Sequence, residues 1–182
     1  LQPVVSSYLK RLEEALAAGK ARAIGVATHE PHHLADLLEG GSVVPAVNQI
    51  ELHPALPQRE LRALDASHGI VTQAWSPLGG GLLSGKYRRG ITPPAGSRRL
   101  TAWHEPPVRD EEKLYDIVEV VVDIAKARGV SGAQVALAWL LGRPGITTLI
   151  VGARTDTQLA DNLKAVDLVL SAEERDRLDK VS

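Results

Sequence analysis

Near the C-terminus, the run Leu149-Ile150-Val151-Gly152-Ala153-Arg154-Thr155, followed by Gln158, Asp161 and Asn162, gathers residue types that suit an anion. It reads as a short buried strand, a glycine turn, an arginine and then a helix. Thr155 and Gln158 have the T-x-x-Q spacing of a capping box, which starts the helix at Thr155. A helix N-terminus carries unpaired N–H groups and a partial positive charge, and Arg154 adds a full charge beside it. Gln158, Asp161 and Asn162 are three and four residues apart and share one helix face. Amides and a carboxylate beside an anion site are what an adenosine phosphate requires. A solvated helix with an exposed arginine is the other reading of the same residues.

A second constellation lies upstream. Trp75 offers a flat face for stacking on a heteroaromatic ring, and Gln49 offers donors and an acceptor for a carboxamide. Ser76, Pro77 and the Leu78-Gly79-Gly80-Gly81 backbone suit close approach to a pyrophosphate, with Lys86 in Leu83-Ser84-Gly85-Lys86-Tyr87 as a closing cation. Taken singly, Trp75 reads as core, the glycines as a turn and Lys86 as a solvated cation. Taken in chain order with Arg154, they describe an extended dinucleotide.

The elements that position these residues repeat as helix, glycine, strand. Leu9, Leu12 and Leu16 make a helical stripe over 4–18, followed by Gly19 and the strand Ala23-Ile24-Gly25-Val26-Ala27. Pro31 opens a helix over 31–39, and the strand Ala46-Val47-Asn48-Gln49-Ile50-Glu51 follows. A helix over 58–68 leads into Ile70-Val71-Thr72-Gln73-Ala74-Trp75. Residues 79–107 lack periodicity and read as a long functional loop. Helical spacing returns from Leu114 to Ala125. Ser131 with Gln134, and Ser171 with Glu174, are further capping pairs. Four strands alternating with helices imply a parallel sheet and half of an eight-stranded barrel. An open doubly wound sheet would carry a glycine fingerprint after its first strand, and Ala27-Thr28-His29-Glu30 is not one.

Composition sets the outer bounds. The chain has 182 residues, a formal net charge of -1 and 44% hydrophobic residues, as expected for one globular domain spanning 1–182. Near-neutral charge argues against nucleic acid and anionic membrane as partners. The lack of cysteine rules out a disulfide framework and fits the cytoplasm. A chain that starts at Leu1 and contains no Met reads as processed, cut or part of a longer protein.

The strand ends carry no lysine for Schiff-base chemistry. Only Glu51 and His53 there suit a metal, with His29 and His33 reading as surface histidines, so no metal site is assigned. No tyrosine sits at a strand end and no catalytic residue is assigned.

In these motifs the chain resembles the aldo-keto reductases, barrel oxidoreductases that use NADPH. The matching residues are Gly19-Lys20-Ala21-Arg22-Ala23-Ile24-Gly25-Val26, Val47-Asn48-Gln49-Ile50-Glu51-Leu52-His53-Pro54, Ala74-Trp75-Ser76-Pro77-Leu78, Gly85-Lys86-Tyr87, and Ile150-Val151-Gly152-Ala153-Arg154 with Gln158 and Asn162. The resemblance implies the second half of a (β/α)8 barrel, from the fourth helix to the eighth. It implies that Gln49 bonds the nicotinamide carboxamide and that Trp75 stacks on the ring. Ser76, Pro77, Leu78, Gly79 and Lys86 would hold the pyrophosphate. Gly152, Arg154, Gln158, Asp161 and Asn162 would hold the adenosine and its 2′-phosphate, the arginine favouring NADPH over NADH.

Three departures accompany the resemblance. Ala27-Thr28 stand where the family has Ser-Asn. The loop at 83–87 and Gly152-Ala153-Arg154 look like the long-loop group that includes potassium-channel β subunits, while residues 48–54 look like the compact members. The family's catalytic Asp, Tyr, Lys and His belong to the first half of the barrel. The expected role is therefore cofactor binding within an enzyme that reduces a carbonyl substrate, with a complementary half-barrel or a second copy as partner. The alternatives are a non-catalytic nucleotide-binding or regulatory subunit and an inactive gene fragment.

Overall fold

The computed structural model describes residues 3–27, 30–97, 100 and 107–182. Thr28 and His29, read above at a strand end, and the stretches 98–99 and 101–106 of the long loop lie outside the described residues. The chain forms an α/β fold that divides into two compact units, Leu1–Ile50 with Gln58–Gln73 and Gly145–Thr148, and Glu51–Pro57 with Ala74–Pro144 and Leu149–Ser182.

The first unit carries α1 (Pro3–Ala17), α2 (Pro31–Gly40) and α3 (Arg59–Ser67) with β1 (Gly25–Ala27) and the greater part of β2 (Val47–Glu51), β3 (Val71–Trp75) and β4 (Ile146–Ile150). The four strands form one sheet in the order β1-β2-β3-β4, and β1 runs parallel to β2 with Gly25 opposite Val47. The pair closes tightly at that point. A Cβ on Gly25 would stand 2.4 Å from Val47 Cγ1 and 2.9 Å from its carbonyl oxygen. Leu9, Ile24 and Leu37 form the small core on which α1 and α2 meet.

Strand alternation sends Asn48 and Thr72 to the buried face. There both bond the carboxylate of Asp65, Asn48 Nδ2 at 3.2 Å and Thr72 Oγ1 at 3.0 Å, and burial raises the Asp65 carboxyl above its ordinary range. Gln49 and Gln73 take the half-buried positions between them.

The second unit carries a 3-10 segment (Gly79–Ser84), α4 (Glu111–Arg128), α5 (Gly132–Leu141), α6 (Asp156–Leu163), a short 3-10 turn (Lys164–Asp167) and α7 (Ala172–Val181). The run Gly132-Ala133-Gln134-Val135-Ala136-Leu137-Ala138-Trp139-Leu140 of α5 is buried throughout, and a helix apolar on nearly every side belongs at the centre of a core. Asp110 caps α4 by accepting from the Lys113 N–H, and Gly129 ends it at φ 66°. Trp139 Nε1 donates to Asp179 Oδ1 at 2.8 Å, and the Arg143 guanidinium pairs with the same carboxylate while lying 4.1 Å from the Trp139 ring centroid. This ties α5 to α7.

Several expectations need correction. The strand expected at 149–151 spans Ile146–Ile150 and is not buried, because β4 is last in the sheet order and has a neighbour on one side only. The strand expected from Ala23 is ordered as strand only from Gly25. The loop at 79–107 opens with 3-10 turns, broken at Gly80 and Gly81 by positive φ. Of the three capping boxes, Ser171 and Glu174 complete theirs. Ser131 and Thr155 each accept from their N3 amide, but Gln134 turns to Asp161 and Gln158 turns to the Arg154 N–H. A bond to an ionised carboxylate is stronger than one to a backbone amide, which explains the first of these.

Candidate functional site

A cavity of about 550 Å³ lies wholly within the second unit. Its size falls in the range of small-molecule and cofactor sites. One wall is the turn after β3, with Ser76, Pro77, Leu78, Gly80 and Gly81, together with Ser84 and Lys86. The opposite wall is the turn after β4, with Gly152 and Arg154, and the first turns of α6, with Gln158, Asp161 and Asn162.

The backbone of the first wall is unusual for a reason that sequence makes explicit. Gly79, Gly80 and Gly81 take φ of 56°, 64° and 93°, and Ser76 takes 52°. Left-handed backbone costs a non-glycine residue roughly 1–2 kcal/mol, so the triple glycine is needed and Ser76 is strained. At Gly81 a side chain would also displace the end of Lys86. A Cβ there would stand 2.9 Å from Lys86 Nζ, so the bare backbone and the ammonium sit side by side.

The second wall is organised by two helix N-termini. Thr155 Oγ1 accepts from the Gln158 N–H at 3.2 Å, and Gln158 Oε1 accepts from the Arg154 N–H at 2.9 Å. The Arg154 side chain reaches the Gly96 carbonyl at 3.3 Å. Ser131 and Ala133, at the start of α5, also line the cavity. Ser131 was legible in the sequence only as a cap, although a cap marks a second helix end with free N–H groups. Asp161 is committed to structure, accepting from Ser131 Oγ at 2.5 Å and Gln134 Nε2 at 2.6 Å. Its carboxylate holds α6 against α5, and Asn162 beside it is buried.

The structure thus brings Ser76, Pro77, Leu78, Lys86, Gly152, Arg154, Gln158, Asp161 and Asn162 around one cavity. Gly79 stands behind the wall, with its Cβ position 3.8 Å from His53 Nε2. Trp75 is half-buried one residue before the wall, and its carbonyl accepts from the Leu52 N–H. Gln49 belongs to the first unit, where its amide bonds Gln73. Chemically, the cavity offers bare backbone, two cations and two helix N-termini, a set suited to phosphate groups at separate points.

Beneath the glycine turn, Glu51 accepts from His53 Nε2 at 3.2 Å and lies 3.6 Å from an Arg109 nitrogen. The hydrogen bond from His53, helped by the Arg109 charge, holds the Glu51 carboxyl below its ordinary value of 4.5. A depressed carboxyl stabilises the fold above the unfolded-state pKa, and that contribution is lost as pH falls through the folded-state value. Glu51→Gln is therefore expected to cost about 1–2 kcal/mol at neutral pH. Its urea midpoint should also fall less steeply than the parent's as pH drops below 4.5. Parallel acid slopes for the two proteins would refute the assignment. Among the described residues no group of three or more His, Asp or Glu side chains is placed to hold a metal ion, and no helix is long and apolar enough to cross a membrane.

The comparisons with known proteins agree with this arrangement. The model of the Aldo/keto reductase family matches residues 4–182. Morphine 6-dehydrogenase of Pseudomonas putida is 36% identical over 172 residues, covering 94% of this chain and 51% of that protein. The apo crystal structure of Gox0644 superposes with a TM-score of 0.73 at 29% identity, covering 99% of this chain and 55% of that one. A variant of Gox0644 solved in complex with NADPH gives a TM-score of 0.70, again at 29% identity, with 95% and 51% covered. The chain spans about half the length of these relatives. Its motifs, its α/β fold with a parallel sheet and the family match over nearly every residue lead to one conclusion: the chain belongs to the aldo/keto reductase family.

Proposed function

We propose that this chain binds NADPH and serves a cytoplasmic enzyme that reduces aldehyde or ketone carbonyls, supplying the cofactor-binding half of a (β/α)8 barrel. The observation that carries the reading is the single cavity that collects Gly80, Gly81, Lys86, Arg154 and Gln158. The residues fit the cofactor: bare left-handed backbone at Gly81 lies beside the Lys86 ammonium, as suits a pyrophosphate cradle. The match to a protein solved with NADPH supports the same reading.

When bound, NADPH supplies the hydride that reduces the carbonyl. The chain's own residues bind and orient it. Residues 76–81 and Lys86 take the pyrophosphate, Arg154 pairs with the 2′-phosphate, and Gln158 and Asn162 face the adenosine. Asp161 orients α6 through Ser131 and Gln134. Gln49 and Trp75 take the carboxamide and the nicotinamide ring by their motif positions in the family.

None of the three tyrosines lines the cavity. Tyr8 is exposed on α1, Tyr87 is buried, and Tyr115 donates to Glu111 on α4. The proton donor is therefore assigned outside these residues, to a complementary half-barrel that also covers the sheet edges. The same observation favours a second reading, a nucleotide-binding subunit without chemistry. Incubation of the 182-residue chain with NADPH and a panel of aldehydes tests the division of labour. Binding without carbonyl-dependent NADPH oxidation is the expected result, and turnover by the chain alone would overturn it. If a complementary half restores turnover, the enzyme reading stands; if binding persists and no such half exists, the second reading replaces it.

A further inference from the structure

The left-handed turn that walls the cavity has to be held in shape from behind. Ser76, Gly79, Gly80 and Gly81 all take positive φ, and such backbone keeps one conformation only where its surroundings over-determine it. Inside the turn, the Gly79 N–H donates to the Ser76 carbonyl at 2.7 Å and the Gly81 N–H to the Leu78 carbonyl at 3.0 Å. From outside, the edge of the His53 ring lies beside Gly79, with Nε2 and Cδ2 at 3.8 and 3.9 Å from its Cβ position. His53 is 4% exposed, and its Nδ1 has no hydrogen-bond partner among the described residues. Burying an unpaired polar atom is costly, so packing alone does not account for a histidine here.

What fixes the imidazole is Glu51. The His53 backbone is tied to Leu56 in both directions, at 3.3 and 2.8 Å, which leaves the angle of the ring to its side-chain partner. Glu51 divides its carboxylate, Oε1 accepting from His53 Nε2 at 3.2 Å and Oε2 lying 3.6 Å from Arg109 Nη2. Arg109 directly precedes Asp110, the N-cap of α4, so the far end of this chain of contacts rests on an anchored helix. All of these residues belong to the second unit, as the cavity does. We propose that Glu51 and Arg109 are positioning residues for the pyrophosphate-binding turn, acting through His53 on Gly79. The proposal rests on the NADPH reading above. A turn already in its bound shape is not ordered at the expense of affinity, and that benefit reaches only the part of the ligand that meets the turn.

Calorimetric titration with NADP+ and with adenosine 2′-monophosphate, which lacks the pyrophosphate, tests the proposal. Arg109 is half exposed, so Arg109→Gln removes the ion pair without emptying the core. That variant should bind NADP+ about two- to fivefold more weakly and leave affinity for the monophosphate unchanged. In a Glu51→Gln background, already weakened for NADP+, Arg109→Gln should have no further effect. A loss that persists in that background means that Arg109 acts on the phosphates directly by its charge, and overturns the proposal. Equal weakening of the two ligands marks a general structural role and overturns it too. Hydrogen exchange of the peptide covering residues 76–84 supplies a reading that needs no ligand and no second substitution. It should rise by about two- to fivefold in unliganded Arg109→Gln, and unchanged exchange overturns the proposal. Failure of the wild-type protein to bind NADP+ overturns the NADPH reading and this role with it. Binding of NADP+ by Arg109→Gln at the wild-type affinity overturns the positioning role alone.

Discussion

Replacing Arg154 with alanine is expected to weaken NADPH binding by about ten- to a hundredfold while changing NADH binding by less than about twofold. The 2′-phosphate is the only chemical difference between the two ligands, and a guanidinium pairs with it through charge-assisted bonds. Arg154 stands immediately before Thr155, the N-cap of α6, where free N–H groups add to its charge. Its present hydrogen bond to the Gly96 carbonyl is a neutral-acceptor contact of 3.3 Å, which a phosphate displaces at little cost. Arg154→Lys should fall between, because an ammonium keeps the charge and loses the planar fork. Fluorescence titration with both nucleotides reads the ratio directly. Equal weakening of NADPH and NADH would remove Arg154 from the 2′-phosphate and make it a general support of the turn.

The largest effect on stability is expected at Asp179. Its carboxylate accepts from Trp139 Nε1, whose ring is buried, and pairs with both terminal nitrogens of Arg143. Asp179→Ala leaves a buried indole N–H without its acceptor and a guanidinium at 17% exposure without its counter-charge. The cost is about 2–3 kcal/mol, kept below the figure for a fully buried pair because Asp179 itself is 35% exposed. The stacking of Arg143 on the Trp139 ring survives the change and limits the loss. Asp179→Asn keeps an acceptor for Trp139 and should cost roughly 1 kcal/mol. Urea denaturation followed by tryptophan fluorescence gives both values. A loss under about half a kcal/mol in the alanine variant would mean that water satisfies Trp139. Because neither Asp179 nor Trp139 lines the cavity, NADPH affinity of the folded variants should be unchanged.

These two residues differ in how far the sequence announced them. The setting of Arg154 was legible from its neighbours, since a glycine turn followed by a capping threonine places it just before a helix start. The same holds for the alternation of helices and strands, whose spacing is a local property. Asp179 was not legible, because its partners are Trp139 and Arg143, some forty residues away. The partners of Asp161, which lines the cavity, were hidden for the same reason. Sequence places Asp161 on the cavity-facing side of α6, and the structure adds Ser131 and Gln134, at the start of α5, as partners of its carboxylate. Edge position defeated the prediction of a buried β4, since apolar Leu149, Ile150 and Val151 look like core until the sheet order shows a missing neighbour. The positive φ of Ser76 carried no sequence signal, as serine does not favour that backbone.

The central claim is that the cavity between residues 76–86 and 150–162 is an NADPH groove read at its adenosine end by Arg154. Hydrogen-exchange mass spectrometry of the protein with and without NADPH tests this most directly. Peptides covering the glycine turn, Lys86 and the start of α6 should be protected by NADPH, and those at Arg154 and Gln158 markedly less by NADH. Protection confined to other segments, or none at saturating nucleotide, would contradict the account.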